Sequence, residues 1–562
     1  MTDYRGRIEI RDREGLDRWL DQAEADDGWQ VISLDYELGY LFEPKSAPAG
    51  WRADASRPLA TIWRFSGRQA MTADAADAWL MAQASGAAGV GGLSPAMNEH
   101  DYLSAVDRII SFISAGDCYQ VNLTFPLAFS WFGSPLALYR RLRDCQPVRH
   151  GGFVGDARQG IVSLSPELFI ARQGDVLRTR PMKGTVARDV DPAQLKASAK
   201  DRAENLMIVD LLRNDLGRVA RAGSVRVDQL FEIEAYPTVW QMVSAVSADV
   251  KGRRFGEILA AMFPCGSITG APKVRAMQII GELESAPRRQ YTGALGCLGP
   301  SGDFSLNVAI RTLELGPDQR GRMGVGSGIV ADSSPQAEWA ECLLKGRFLA
   351  ACDPGLQLIE TLRLENGNYP HRAGHLQRLQ RSAAWFGFRC DIEQVEAALA
   401  AQPQDGLWRV RLTLDKAGQL DMQSLPLTDE PAGARHAWLA SETIDARDPL
   451  RSHKTTVRAA YDRALASIAG TPAVFDVLFV NAEGELAEGA RSTIFVERDG
   501  RLLTPPLRCG ALPGVLRAAL IASGRAEEQV LFPEDLAGGF WLGNALRGLV
   551  RVTLSSGTPD PA

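Results

Sequence analysis

The chain has 562 residues, 45% of them hydrophobic and 23% charged, with a formal net charge of −6. These are the proportions of a globular protein with room for two or more domains, and the mild acidity argues against a nucleic-acid binder. No apolar run approaches the roughly 18 residues a membrane helix needs, and the charged start Met1-Thr2-Asp3-Tyr4-Arg5 is unlike a signal peptide, so a cytoplasmic protein without a membrane partner is expected. Eight cysteines with no Cys-x-x-Cys pair then read as reduced, mostly buried thiols, and six scattered histidines give no zinc pattern. The first hundred residues read as strand-rich, with Val31-Ile32-Ser33-Leu34-Asp35-Tyr36 as one strand. Further on, Arg180-Pro181-Met182-Lys183-Gly184-Thr185 places an amine on a short turn between Pro181 and Gly184. Apolar residues at 208, 211 and 212 follow helical spacing and predict a helix over about 200–216, with Glu204 near its start. A second helix, over 337–345, would carry Glu338, Glu341 and Lys345 on one face. On spacing alone these are also the marks of a surface lysine and a solvated helix face. The breaker Ala351-Cys352-Asp353-Pro354-Gly355 divides the chain into regions 1–352 and 356–562.

Several runs of the first region occur in a telling order: Gly116-Asp117-Cys118-Tyr119-Gln120-Val121-Asn122-Leu123, Leu164-Ser165-Pro166-Glu167, the stretch 203–215, Phe263 to Lys273, Tyr291-Thr292-Gly293-Ala294, Arg311 and Gly326-Ser327-Gly328-Ile329-Val330. Together they resemble the chorismate-utilising enzymes over roughly residues 30 to 350. Lys183 resembles the aminodeoxychorismate-forming branch, since the anthranilate-forming branch carries alanine there. The resemblance implies an α+β fold like that of anthranilate synthase component I, with chorismate and ammonia as reactants. It makes Lys183 a nucleophile that adds at ring carbon 2 as the carbon 4 hydroxyl leaves, and Glu167 the general acid for that hydroxyl. It implies Mg2+ on Glu204 and Glu341 with Glu338 close by. Arg311, with Tyr291 beside it, would take the enolpyruvyl carboxylate. Thr269, Gly270, Gly326, Ser327 and Gly328 would bring backbone close to the anion, and Lys273 would add charge. The chain departs from the pattern at Gln241, where many relatives carry histidine, and it lacks the leucine-leucine-glutamate-serine run associated with tryptophan feedback. It contains no glutaminase signature, so ammonia is expected from a separate glutamine amidotransferase subunit.

The second region holds Leu358-Ile359-Glu360-Thr361-Leu362-Arg363, His375-Leu376-Gln377-Arg378-Leu379, Lys454-Thr455-Thr456-Val457-Arg458, Glu488 to Phe495, and Gly510 to Arg517. These resemble the class IV aminotransferases, fold-type IV pyridoxal 5'-phosphate enzymes that include aminodeoxychorismate lyase. The resemblance assigns Lys454 to the cofactor's aldehyde and to proton transfer, and Glu488 to its ring nitrogen. Its phosphate would rest on the amides of Gly514, Val515 and Leu516 at a helix start, helped by Arg378 and Asn544. It also allows a homodimer through this region. His371 and His375, four apart, read as part of the cofactor-binding segment or as surface. The domain looks shortened at its front, and Thr493 stands where asparagine is common. The combined expectation is a bifunctional enzyme making 4-aminobenzoate, hence folate, from chorismate. The alternative is a second region that is an aminotransferase or an inactive scaffold.

Overall fold

The computed structural model describes residues 1–236, 239–428, 435–471 and 473–555. Its contacts group into two compact units, each mixing helix and strand. One comprises Met1–Ser85, Leu93–Phe129 and Ser134–Cys352; the other comprises Gly86–Gly92, Ser130–Gly133 and the chain from Asp353 onward. Among the described residues no helix is long and apolar enough to cross a membrane.

The first unit is built on a ten-stranded and a seven-stranded sheet. Strand β1 (Gln120–Phe132) belongs to the smaller sheet, and β2 (Val176–Arg180) and β3 (Met182–Ala187) to the larger. Helix α1 (Ala199–Gly217) follows, its first turn capped by the Ser198 hydroxyl on the Asp201 amide. Ile208, Val209, Leu212 and Leu216 of α1 are buried in the main core, each stabilising the fold by about 1.5–3 kcal/mol. Glu204 lies one turn ahead of Ile208 on the same helix face, so anchoring that face also aims the carboxylate inward. Strand β4 (Val239–Asp249) pairs antiparallel with both β2 and β3. Strands β5 (Gly270–Ala271) and β6 (Arg320–Ile329) flank β1, and α2 (Pro335–Ala351) packs on β6.

Three expectations change. Lys183 lies in strand β3, not on a turn: the Ser244 amide bonds the Pro181 carbonyl, and pairing resumes at Thr185 with Gln241 after a bulge that absorbs Gly184 at φ +90°. The first hundred residues include helices Arg13–Gln22 and Ala73–Gln83 beside their strands, and the early strand runs Trp29–Leu34, with Tyr36 opening a short 3-10 turn. The cysteines are not all thiols. Cys145 and Cys352, which close helix Pro135–Cys145 and follow α2, form a disulfide across 207 residues of sequence.

The second unit holds a three-stranded and an eight-stranded sheet. Strand β7 (Leu358–Glu365) leads into α3 (Arg372–Phe386), and β8 (Leu407–Leu414) pairs with β7. Helix α4 (Ala459–Ser467), strand β9 (Leu486–Gly489) and helix α5 (Val515–Ala522) complete the elements that carry its functional side chains. Two segments from earlier in the chain, Gly86–Gly92 and Ser130–Gly133, belong to this unit. Phe132 is fully buried with Leu358, Leu362 and Phe386, and the Trp385 ring lies against Gly91 and Gly92, where a Cβ at Gly91 would fall 2.1 Å from it.

Candidate active sites

In the first unit the groups converge on Lys183. Its Nζ lies 3.0 Å from Glu204 Oε2, joining β3 to α1. Gly328 of β6 keeps the space beside that amine open, because a Cβ there would lie 3.7 Å from Lys183 Nζ and 3.0 Å from Gln120 Nε2. Glu167 is buried and accepts the Ser267 hydroxyl at 3.0 Å. Burial pushes its carboxyl up to about 7, against the opposing pull of Ser267 and of the Lys183 charge. Glu167 is therefore partly protonated at neutral pH, as an acid catalyst must be. Glu341 pairs with Lys345 at 2.8 Å. Burial alone would raise its carboxyl, but Lys345, with Lys183 and Lys200 beyond, holds it below the ordinary range. Glu338 accepts the Ser333 hydroxyl at 2.8 Å. Among the described residues no three metal-ligating side chains cluster. Glu204 and Glu341 nevertheless both act on the Lys183 charge, and their oxygens are the donor type that Mg2+ takes when it keeps most of its waters.

The remaining residues singled out by the sequence each have a defined local partner. Gly270, at φ +138°, lets β5 run against β1, where a Cβ would fall 2.3 Å from the Gln120 carbonyl. Thr269 is buried and bonds the Cys265 carbonyl. Lys273 donates to Asp215 at 2.5 Å and to the Met262 carbonyl at 3.1 Å, so it braces α1. Tyr291 is buried against Gly324, which has no room for a Cβ. Ser327 meets the Tyr102 hydroxyl at 2.9 Å, and the Gly326 carbonyl accepts Lys345 at 2.7 Å. Arg311 reaches Gln146 at 3.3 Å. Gln241 sits on β4 opposite Thr185, two residues from Lys183 in the paired strand. Sequence reasoning passed over Gln120. It is 2% exposed, and its Oε1 has no hydrogen-bond partner among the described residues. Its run was visible as a motif, but nothing local marks this side chain as facing the amine.

The second unit encloses a cavity of about 520 Å³, and Lys454, Glu488, Arg378, Gly514, Val515, Leu516 and Asn544 all line it. That volume suits a cofactor with a small substrate. Lys454 Nζ donates to Thr361 Oγ1 at 2.9 Å. Burial pulls its amine down to about 7, Arg378 pushes in the same direction, and Glu360 opposes. Arg378 grips Glu360 with both prongs, at 2.8 and 2.6 Å, and His375 Nδ1 meets the same carboxylate at 2.6 Å. Burial would raise Glu360, but these two partners outweigh it and hold the carboxyl at about 2. His375 Nδ1 therefore carries the proton, leaving Nε2 as a buried acceptor without a partner among the described residues. His371 is exposed, so the two histidines are not a metal pair.

Glu488, on β9, takes the Leu512 amide at 2.9 Å and the Tyr461 hydroxyl. Burial raises its carboxyl, and those two donors pull it back. Gly514 caps α5, leaving the first amides of that helix turned toward the cavity, and Thr493 Oγ1 would lie 3.0 Å from a Cβ there. Asn544 is occupied in shaping its loop, bonding the Arg491 carbonyl and the Leu546 and Arg547 amides. Thr361, Tyr461, Arg409 and Arg411 also line the cavity, and sequence reasoning gave none of them a role. The buried amine, the opposed acid, the helix start and the unpaired His375 nitrogen together fit pyridoxal 5'-phosphate.

Each unit matches a known family. The model of the chorismate binding enzyme family matches residues 31–351, and that of amino-transferase class IV matches residues 357–554. Aminodeoxychorismate synthase component 1 of Klebsiella aerogenes is 43% identical over 279 residues, 47% of this chain and 61% of the relative. Anthranilate synthase component 1 of Streptomyces coelicolor is 39% identical over 295 residues, 51% of this chain and 55% of the relative. The chain thus spans less than two thirds of either relative. The crystal structure of anthranilate synthase component I from Streptococcus pneumoniae TIGR4 superposes with a TM-score of 0.53 at 24% identity, covering 62% of this chain and 90% of that one, which is a likeness of fold. The chorismate-binding match runs over more than half of the sequence, and the chain belongs to the chorismate-binding enzymes, followed by a class IV aminotransferase domain.

Proposed function

We propose that the chain makes 4-aminobenzoate in two steps, within folate synthesis. The first unit would convert chorismate and ammonia to 4-amino-4-deoxychorismate and water. The second would split that product into 4-aminobenzoate and pyruvate. The observation that carries the first step is Lys183 in one site with a buried acid, Glu167, poised near neutral pH.

In the first site Lys183 must leave Glu204 before its nitrogen can attack. It then adds at ring carbon 2, both ring double bonds shift by one position, and the carbon 4 hydroxyl departs as water with the Glu167 proton. Ammonia adds at carbon 4, both double bonds shift back, the bond to Lys183 breaks to return the amine, and the new ammonium group gives its extra proton back to Glu167. Gln120, whose Nε2 and the Lys183 Nζ both border the space at Gly328, has a free Oε1 that would accept an N–H of the incoming nucleophile. Glu204 and Glu341 would hold Mg2+, whose charge would offset that of the ring carboxylate. Arg311, Tyr291 and the glycines of β6 would shape the rest of the pocket. A separate glutamine amidotransferase subunit would deliver ammonia, for which ammonium salts would substitute in vitro.

In the second site Lys454, Glu488, Arg378 and the start of α5 would hold pyridoxal 5'-phosphate, which supplies an electron sink when bound. Lys454, at about 7, can take the proton from ring carbon 4 and return it later, with Thr361 holding its nitrogen. Arg409 and Arg411, two apart on β8 and both exposed on the cavity wall, face the same way and suit a substrate bearing two carboxylates. The test is incubation of the purified full chain with chorismate, Mg2+, ammonium and pyridoxal 5'-phosphate, followed by chromatography. Formation of 4-aminobenzoate and pyruvate supports both steps. Aminodeoxychorismate alone would remove the second and leave the C-terminal unit as an aminotransferase or scaffold.

A further inference from the structure

The cofactor reading of the second unit is the basis for one further residue. Glu488 has both carboxylate oxygens engaged, Oε2 by the Leu512 amide and Oε1 by the Tyr461 hydroxyl. The Tyr461 oxygen in turn receives Arg451 Nη1. A guanidinium has donors only, and a phenol has a single proton, so the direction of this chain is fixed: Arg451 donates to Tyr461, and Tyr461 donates to Glu488. The ring is held as firmly as the hydroxyl. Arg451 and Arg458 lie over it at 5.3 and 5.1 Å from its centroid, and Phe479 meets it edge-on at 5.1 Å. Burial raises the Tyr461 hydroxyl above its ordinary value, so it remains a donor across the working range. Arg451, Tyr461, Glu488 and Leu512 all border the cavity that contains Lys454. Arg451 lies three residues before Lys454 and Tyr461 seven after it, so the segment that delivers the amine also delivers the clamp on the acid.

We propose that Tyr461, held by Arg451, is a positioning residue that keeps Glu488 ionised and aimed at the ring nitrogen of pyridoxal 5'-phosphate. A purely structural tyrosine would support the cavity whatever cofactor occupied it. A tyrosine acting through Glu488 matters only when the cofactor has a ring nitrogen to hold.

The experiment compares wild type and Tyr461→Phe in the full chain, each titrated with pyridoxal 5'-phosphate and with its 1-deaza analogue, in which carbon replaces the ring nitrogen. Affinity is read by fluorescence, and the bound cofactor by its absorbance band. Tyr461→Phe should bind pyridoxal 5'-phosphate roughly tenfold more weakly, with a shifted band, and should bind the analogue as wild type does. In a Glu488→Gln background the same change should add nothing. Equal losses with both cofactors, or no loss with either, would overturn the proposal. Wild type that binds neither cofactor would overturn the cofactor reading itself, and the Tyr461 proposal with it. If the melting transition shows that Tyr461→Phe has lost its fold, Arg451→Met, which releases the phenol without removing it, carries the same comparison.

Discussion

Glu167 in the first unit and Lys454 in the second are displaced from their ordinary ranges in opposite directions by one cause. Burial penalises whichever form is charged, so it raises the carboxylic acid to about 7 and lowers the amine to about 7. The acid thereby keeps a proton it can give, and the amine gains a lone pair it can use. Their neighbours sharpen the contrast. Glu167 faces a hydroxyl and a cation, Ser267 and Lys183, which favour its ionised form and limit the rise. Lys454 faces Arg378, which adds to the fall, with Glu360 between them as the counterweight. The other lysine proposed for catalysis follows a third design: Lys183 is partly exposed and ion-paired to Glu204, so the proposed attack requires breaking a contact.

That comparison can be broken most decisively at the two lysines. Lys183→Ala should abolish aminodeoxychorismate formation, and turnover at the wild-type rate would end the covalent route for this site. Lys454→Ala should lower 4-aminobenzoate formation by about three orders of magnitude or more while aminodeoxychorismate accumulates, as chromatography of the reaction would show. Glu167→Gln should slow the amination by roughly 10²–10⁴-fold, since the amide cannot give a proton; a loss below tenfold would remove it as the acid. Glu360→Gln tests the counterweight: it leaves Arg378 buried without its partner and should destabilise the second unit by about 3–5 kcal/mol in denaturant unfolding. The subtlest expected effect is in pH dependence. Amination needs protonated Glu167, so it should fall as pH rises through about 7, whereas the second step needs neutral Lys454 and should rise through the same region. Measured separately, the two profiles should slope in opposite directions, and parallel slopes would contradict the contrast.

Much of this was legible in the sequence. The helical spacing of residues 208 and 212 placed α1, and that of Glu341 and Lys345 placed α2, because hydrophobic and charge periodicity are local properties. The ordered motifs singled out candidate residues in both units, and those assigned to the cofactor all border one cavity. What no local pattern could supply was partnership across distance. Lys183 reads as a turn until β4, some sixty residues later, pairs with its segment and makes it a strand. Lys273 looks like an anion ligand until Asp215 occupies it, and Gln120 acquires meaning only from Gly328 and Lys183, brought beside it by the packing of β1, β3 and β6. Cys145 and Cys352, and the hydroxyl that Tyr461 extends to Glu488, belong to the same class. Residue types and their periodicity determined which elements form and what chemistry is at hand. Only the tertiary structure decided which charges are neutralised and which remain for a substrate, because burial and ion pairing depend on atoms far apart along the chain.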